Sequence, residues 1–115
     1  MSEYRLKRIE NILREIIGNL IVQNKIKDPG VSSLISISRI EVSKNVAYAK
    51  IFISGFENSE TTKNSVDGLN RASGFIRNLV GKKIKTRNTP QLKFFYDDSI
   101  EHSFYINQLI EDQKK

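Results

Sequence analysis

Apolar residues between positions 3 and 24 recur at spacings of three and four, the strongest periodic pattern in the chain. This spacing predicts an amphipathic helix with one broad apolar stripe. The stripe consists of Ile9, Ile12, Leu13, Ile16, Ile17, Leu20 and Ile21. A basic amphipathic helix can also lie on a membrane surface. A chain of 115 residues corresponds to about one domain, 1–115. We favour a helix that packs in the core, because so small a domain needs this stripe for its own core.

Asp28-Pro29-Gly30 predicts the end of this helix. Proline has no amide hydrogen and disfavours helical geometry in the residue before it. From position 34 to 42 apolar residues alternate with polar ones, and a shift by one residue predicts a β-bulge near Ser38-Arg39. A polar turn, Ser43-Lys44-Asn45, in which Asn45 tolerates a positive φ, then predicts a β-hairpin. In the second strand Ala47, Ala49, Ile51 and Ile53 share one face, and Val46, Tyr48, Lys50 and Phe52 share the other.

Helical spacing returns after position 55 and continues to about position 85, with Asn58 or Ser59 available as its N-cap. The segment Ala72-Ser73-Gly74 interrupts this run. A glycine inside a helix costs roughly 1 kcal/mol relative to alanine, so we expect two shorter helices that meet at Gly74.

The last part of the chain predicts one strand and one helix. Alternation at Leu92, Phe94 and Tyr96 outlines a third strand. Residues 98–101 resemble a capping box, and a short C-terminal helix is outlined by Ile100, Ile106, Leu109 and Ile110. The element order α-β-β-α-α-β, with this further C-terminal helix, predicts an α+β domain in which helices cover one face of a three-stranded sheet.

The net charge of +6 is confined to one stretch of the chain. No acidic residue lies between Asp67 and Asp97. Seven basic residues lie there: Arg71, Arg77, Lys82, Lys83, Lys85, Arg87 and Lys93. The other 12 of the 19 basic residues and the 13 acidic residues together give a net charge of −1. We therefore expect a polyanionic partner to contact this stretch, and a solvated basic face without a ligand is the alternative interpretation.

The residue types needed for catalysis or metal binding are scarce. With no cysteine and a single histidine, His102, the chain offers neither a zinc site nor a nucleophile–base pair. Asp97 and Asp98 are adjacent carboxylates, but neighbouring residues at a strand end point to opposite sides. We therefore expect no catalytic residue, no metal and no cofactor. The remaining enzymatic alternative is an RNA-cleaving enzyme that uses His102 and a nearby lysine.

The interruption at Ala72-Ser73-Gly74 is the candidate binding element. A glycine between two helices lets a nucleic-acid backbone approach closely, and the second helix begins with unpaired amides at the positive end of its dipole. A phosphate at this point would be flanked by Arg71 and Arg77. Four cations at the far end of the helix would follow the backbone over several nucleotides: Lys82, Lys83, Lys85 and Arg87. Lysines at a helix C-terminus also interact favourably with the dipole without any ligand.

Eight short motifs cover nearly the whole chain: Arg5-x-x-Arg8, Asp28-Pro29, Val42-Ser43, Ala47-x-Ala49-x-Ile51-x-Ile53-Ser54, Ala72-Ser73-Gly74-x-Ile76-Arg77, Arg87-x-x-Pro90-x-Leu92-x-Phe94, Asp97-x-Ser99 and Ile106-x-x-Leu109. In this order and spacing they resemble ribosome-binding factor A, a family of bacterial small-subunit assembly factors. Each motif is weak by itself, and the specificity comes from their combination.

The resemblance implies a type II KH-like fold, in which the Ala72-Ser73-Gly74 kink replaces the GxxG loop of ordinary KH domains. It implies a non-enzymatic, cytoplasmic monomer that binds the free 30S subunit and its 16S rRNA. The activity implied is support of late maturation and 5′-end processing of that rRNA, notably in the cold. Ribosomal proteins and other assembly factors are further candidate partners, and no membrane is involved. The implied RNA-facing residues are Arg71, Ser73, Gly74, Arg77, Lys82, Lys83, Lys85 and Arg87, with Arg5 and Arg8 as further candidates.

Gly30 departs from the family pattern, where we expect a basic residue after Asp-Pro, so one contact would be missing. The alternative function is a general KH-type module for single-stranded RNA, against which the absence of a GxxG loop argues. Few aromatic residues lie near the basic stretch. We therefore expect little base stacking there and recognition of the shape of folded RNA.

Overall fold

A computed structural model describes residues 2–26, 28–55, 58–84 and 89–98, with side chains from residue 4 onward. The elements are helices α1 (Ser2–Val22), α2 (Ser59–Arg71) and α3 (Ser73–Lys83), and strands β1 (Ile35–Val42), β2 (Tyr48–Gly55) and β3 (Gln91–Tyr96). This order confirms the predicted α-β-β-α-α-β arrangement. The C-terminal helix expected after β3 lies outside the described residues.

Helix α1 ends before the predicted stop at Asp28-Pro29-Gly30. Asn24 has a φ of 54°, and its amide donates to the Ile21 carbonyl at 3.1 Å. The next amide, of Lys25, donates to the Leu20 carbonyl at 2.9 Å. These two bonds form a Schellman motif with asparagine in the left-handed position that glycine usually takes. The prediction was wrong here because capping hydrogen bonds end the helix before the chain reaches the proline.

The sheet is mixed and has the order β1-β2-β3, with β1 antiparallel and β3 parallel to β2. Ser38 is an extra residue in the β1–β2 register, which confirms the predicted bulge. The hairpin turn differs from the prediction, because Val46 belongs to the turn and not to the second strand. Its φ is 58° and its side chain is buried. The Ser43 hydroxyl accepts from the amides of Ala47 and Tyr48, at 3.1 and 3.0 Å, and holds this turn.

The helices cover one face of the sheet, as predicted. That face is buried and consists of Ile40, Ala49, Ile51, Ile53, Leu92 and Phe94. Helix α1 packs on β1, α2 packs on β2 and β3, and α3 packs on β3. The apolar stripe of α1 completes the core through Ile9, Leu13, Ile17, Leu20 and Ile21. None of the described helices combines the length and apolarity needed to cross a membrane.

Two polar side chains fix α2 in place. Asn58 is its N-cap, as predicted, and accepts from the Thr61 amide at 2.8 Å. Asn70 pairs with both backbone groups of Phe94 in β3: its Nδ2 donates to the carbonyl at 3.0 Å, and its Oδ1 accepts from the amide at 2.9 Å. The carboxamide thus ties the last turn of α2 to the edge strand, directly before the junction with α3.

Candidate nucleic-acid interface

The predicted interruption at Ala72-Ser73-Gly74 is present, but the break lies at Ala72 and not at Gly74. Ala72 has φ −91° and ψ 6°. Its amide donates to the Gly68 carbonyl at 3.0 Å, and its carbonyl accepts from the Ile76 amide at 3.0 Å. Any L-residue can adopt this negative φ, so the break does not depend on the conformational freedom of a glycine. The expected meeting point at Gly74 was therefore wrong by two residues.

Gly74 lies in the first turn of α3 and is exposed. A Cβ added there would meet no atom within 4 Å, and none of the described glycines has a positive φ. Neither backbone conformation nor packing among the described residues therefore requires glycine at this position. The physical consequence of the missing side chain is that a partner can approach the helix backbone closely.

A shallow groove of about 480 Å³ runs along α3 and is lined by Gly74, Arg77, Asn78, Gly81, Lys82 and Thr89. Two of the α3 positions in its wall are glycines, which leaves the helix backbone accessible. Ala72 supplies no side-chain cap to α3, and its first turn contains no acidic residue. Neither a side-chain cap nor an acidic residue of the first turn therefore opposes an anion at the Gly74 end of the groove.

Arg71 forms an ion pair that sequence analysis missed. Its Nε donates to Asp28 Oδ2 at 2.9 Å, and its Nη2 donates to Asp28 Oδ1 at 3.0 Å. Asp28 Oδ1 also accepts from the Gly30 amide at 2.9 Å. The Arg71 guanidinium, followed by the Gly30 amide, holds the pKa of Asp28 below its ordinary value, and Asp28 raises the pKa of Arg71. A carboxylate from the segment after α1 thus compensates the charge of Arg71, although the side chain remains 61% exposed.

Arg77 lies one turn after Gly74 and joins α3 to the segment before β3. Its Nη2 donates to the Thr89 carbonyl at 2.8 Å, and its Nε lies 3.3 Å from the carbonyls of both Thr89 and Pro90. These acceptors are neutral, and Arg77 forms no ion pair with a described residue. Its positive charge therefore remains available on the groove wall while its hydrogen bonds fix its position.

Lys82 and Lys83 lie in the last turn of α3, are exposed and form no ion pair with the described residues. Lys85 and Arg87, which were predicted to extend this cationic row, lie outside the described residues. Lys93 is on β3 and belongs to the sheet face that α1, α2 and α3 leave open. The structure therefore collects Gly74, Arg77 and Lys82 in one groove and places Lys93 elsewhere.

The other predicted RNA-facing residues lie around this groove or on α1. Ser73 is the first residue of α3 and is half-buried. Arg5 and Arg8 are exposed on α1, and no hydrogen bond or ion pair joins them to the described part of the chain. The contribution of these three residues to RNA binding stays a prediction.

The acidic residues near the end of β3 do not form a paired site. Asp97 Oδ2 accepts from the Ser38 hydroxyl at 2.5 Å, and Asp98 is exposed. Over the described ranges, no group of three or more His, Cys, Asp or Glu side chains could hold a metal ion. His102 and residues 99–101 of the expected capping box lie outside the described residues.

Comparisons with known proteins agree with this arrangement of elements. The family model described as ribosome-binding factor A matches residues 5–110. Ribosome-binding factor A from Treponema denticola is 48% identical over 110 residues, which cover 95% of this chain and 83% of that protein. The crystal structure of ribosome-binding factor A from Thermus thermophilus superposes with a TM-score of 0.60 at 18% identity, covering 84% of this chain and 96% of that one.

A second Thermus thermophilus structure matches with a TM-score of 0.63 at 19% identity, covering 79% of this chain and 93% of that one. It is a ribosome-binding factor A homology model fitted into the cryo-EM map of a complex with the 30S subunit. The two Thermus structures confirm the KH-like α+β fold. Because the family model spans nearly all of the sequence and a relative is 48% identical, the chain belongs to the ribosome-binding factor A family.

Proposed function

We propose that this chain binds the free 30S ribosomal subunit through its 16S rRNA and, in the cytoplasm, supports late maturation and 5′-end processing of that rRNA. The observation that carries the proposal is the groove along α3, where an unobstructed glycine lies beside cations without carboxylate partners among the described residues. Membership of the family and the Thermus thermophilus protein fitted into a 30S map support the same partner.

The groove suits a folded RNA better than a flexible single strand. Folded RNA exposes phosphates and 2′-hydroxyls, which proteins recognise mainly by shape. Arg77 is held by two backbone carbonyls, and Lys82 lies on the same rigid helix. The charge of Arg77 therefore occupies a defined position before the RNA arrives, which lowers the entropy cost of binding. The proposed contacts are Arg5, Arg8, Arg71, Ser73, Gly74, Arg77, Lys82, Lys83, Lys85 and Arg87.

Binding by itself is sufficient to assist maturation. A protein shifts an RNA conformational equilibrium by as much as its affinities for the two conformations differ. We infer that the chain stabilises a conformation of the pre-16S rRNA in which other enzymes complete the 5′ end. This role requires no catalytic residue of its own.

Co-sedimentation with purified 30S subunits tests the proposed surface. The double variant Lys82→Gln, Lys83→Gln lacks two cations of α3 and should bind 30S subunits more weakly. The salt dependence should also flatten, by roughly 0.7–0.9 of a log–log unit for each phosphate that is no longer neutralised. The matched control is Lys25→Gln with Lys44→Gln, which removes the same charge from exposed positions away from α3. Equal binding and equal salt dependence of the two double variants would contradict the assigned surface.

A maturation assay tests the finer part of the proposal. Cells depleted of their own factor should accumulate 16S rRNA with an unprocessed 5′ end, most strongly in the cold, and this chain should restore processing while the Lys82→Gln, Lys83→Gln variant should not. Primer extension measures the 5′ end. Affinity for short unstructured oligonucleotides comparable to that for 30S subunits would favour the alternative, a general single-stranded RNA module.

A further inference from the structure

The face of the sheet that the described helices leave open carries aromatic and basic side chains in neighbouring positions. We define this outer sheet face by Arg39 of β1, Tyr48, Lys50 and Phe52 of β2, and Lys93 and Phe95 of β3. The register places Lys50 beside Lys93, and it places Phe52 between Arg39 and Phe95. Because cross-strand partners point to the same side of a sheet, these six side chains form one surface.

Flat groups form a row across the three strands of this surface. The ring centroids of Phe52 and Phe95 are 5.5 Å apart, with their planes inclined by 26°. On the other neighbouring strand, Arg39 Cζ lies 4.1 Å from the centroid of the Phe52 ring. Tyr48, two positions from Lys50 on β2, is 59% exposed. Phe52 and Phe95 are half-buried, and none of the three rings belongs to the core cluster on the opposite face of the sheet.

The lysines on the same surface have no anionic partner among the described residues. Lys50 and Lys93 are directly opposite each other in the register and are both exposed, although like charges in that relation are unfavourable. Neither lysine forms an ion pair with the described residues: Glu41, opposite Lys50 in the β1–β2 register, pairs with Arg39 at 3.4 Å. Lys93 Nζ lies 5.6 Å from the centroid of the Phe95 ring. An anionic group between the two lysines would remove their repulsion.

We propose that the outer sheet face binds a short run of unpaired nucleotides. Bases would stack on the two outer ends of the Arg39–Phe52–Phe95 row, at Arg39 and at Phe95, and on Tyr48, while Lys50 and Lys93 bind the intervening phosphates. A β-sheet with aromatic residues on neighbouring strands stacks about two or three bases in this way, and arginine planes stack bases as well. This inference rests on the proposed function, because it takes RNA as the partner. It adds a second contact on the side of the sheet opposite α3, so that the chain would lie between two segments of rRNA.

Fluorescence anisotropy with a labelled, unstructured RNA heptamer at low salt tests this inference without using the subunit. Phe52→Leu and Phe95→Leu keep an apolar side chain but remove the aromatic ring, and each should weaken heptamer binding at least about fivefold, the lower end of what one lost base stack costs. Tyr4→Leu is the matched control, because Tyr4 is 79% exposed on α1. Lys50→Gln should weaken binding more than Lys25→Gln, and neither lysine lies in the core.

Thermal unfolding of each variant and NMR titration of the wild type complete the design. Heptamer-induced shifts on β2 and β3, together with weaker binding by the folded leucine variants, support the proposal. Wild-type affinity of both leucine variants overturns it. Nuclear Overhauser contacts from the Phe52 ring to residues after 98 in the free chain also overturn it, since the chain itself would then cover the face. Shifts of these signals by RNA-free ribosomal proteins, without shifts by the heptamer, would overturn it as well.

The two proposals fail in different assays. Loss of heptamer binding to the outer sheet face leaves the co-sedimentation result of the Lys82→Gln, Lys83→Gln variant untouched. Conversely, if that variant binds 30S subunits normally, the heptamer experiment still decides whether the outer sheet face binds RNA.

Discussion

Replacing Gly74 by alanine separates the stability of the fold from the accessibility of the groove. Gly74 is helical, exposed and without a neighbouring atom within 4 Å of an added Cβ. Gly18 in α1 is also helical, and its added Cβ likewise meets nothing within 4 Å. The two substitutions Gly74→Ala and Gly18→Ala therefore form a matched pair.

The magnitude follows from the unfolded chain. Alanine has fewer accessible conformations than glycine when unfolded, and at a compatible position it stabilises a protein by about 0.4–1 kcal/mol. For a chain of this length that corresponds to a rise in Tm of roughly 2–5 °C. Gly68 shows what an incompatible position looks like, since its added Cβ would lie 2.6 Å from Val31 Cγ2 and 2.8 Å from Asp28 Oδ1. Both alanine variants should therefore unfold at a higher temperature than the wild type.

RNA binding should distinguish the pair. The Gly74→Ala methyl group would stand where a phosphate approaches the α3 backbone. The loss of one charge-assisted hydrogen bond corresponds to an affinity that is at least about tenfold weaker. The Gly18→Ala variant should bind as the wild type does. Calorimetry measures the Tm of each variant, and titration of the labelled chain with 30S subunits measures its affinity. The reasoning is refuted if Gly74→Ala binds normally, or if it lowers the Tm instead of raising it.

Two further predictions concern the contacts that hold the helices. Asn70→Ala should destabilise the fold by about 1–3 kcal/mol, because it leaves both backbone groups of Phe94 unpaired. The control is Asn64→Ala at an exposed position, which should change the free energy of unfolding in urea by less than about 0.5 kcal/mol. The pKa of Asp28 in the folded state lies below its ordinary value of 3.8, so the unfolded chain binds this proton more tightly. The stabilisation that Asp28 provides is complete above about pH 5 and disappears as the pH falls through the folded-state pKa. Asp28→Asn should remove this part of the acid dependence, so wild type and variant should converge in urea midpoint between pH 6 and pH 3; a constant difference would contradict it.

The candidate site could be predicted only in part. The uncompensated run of cations and the helix interruption are visible in the sequence, and the structure places Gly74, Arg77 and Lys82 in one groove. The pairing of Arg71 with Asp28 could not be predicted, because 43 residues separate the partners and no local pattern connects them. The position of the break was missed because Ala72 adopts a conformation open to any residue type.

Sequence periodicity determined which side of each element is buried. The alternation in β2 placed Ala49, Ile51 and Ile53 on one face, and the structure buries all three, because a period of two separates the two faces of a strand whichever strand lies alongside. Only the tertiary structure decided which distant residues meet. The parallel register of β3 on β2 brings Phe95 beside Phe52 and Lys93 beside Lys50, and this depends on the path of the chain through α2 and α3. Burial follows from the pattern within one segment, whereas contact between segments depends on how they pack. The outer sheet face could therefore be recognised only in the folded molecule.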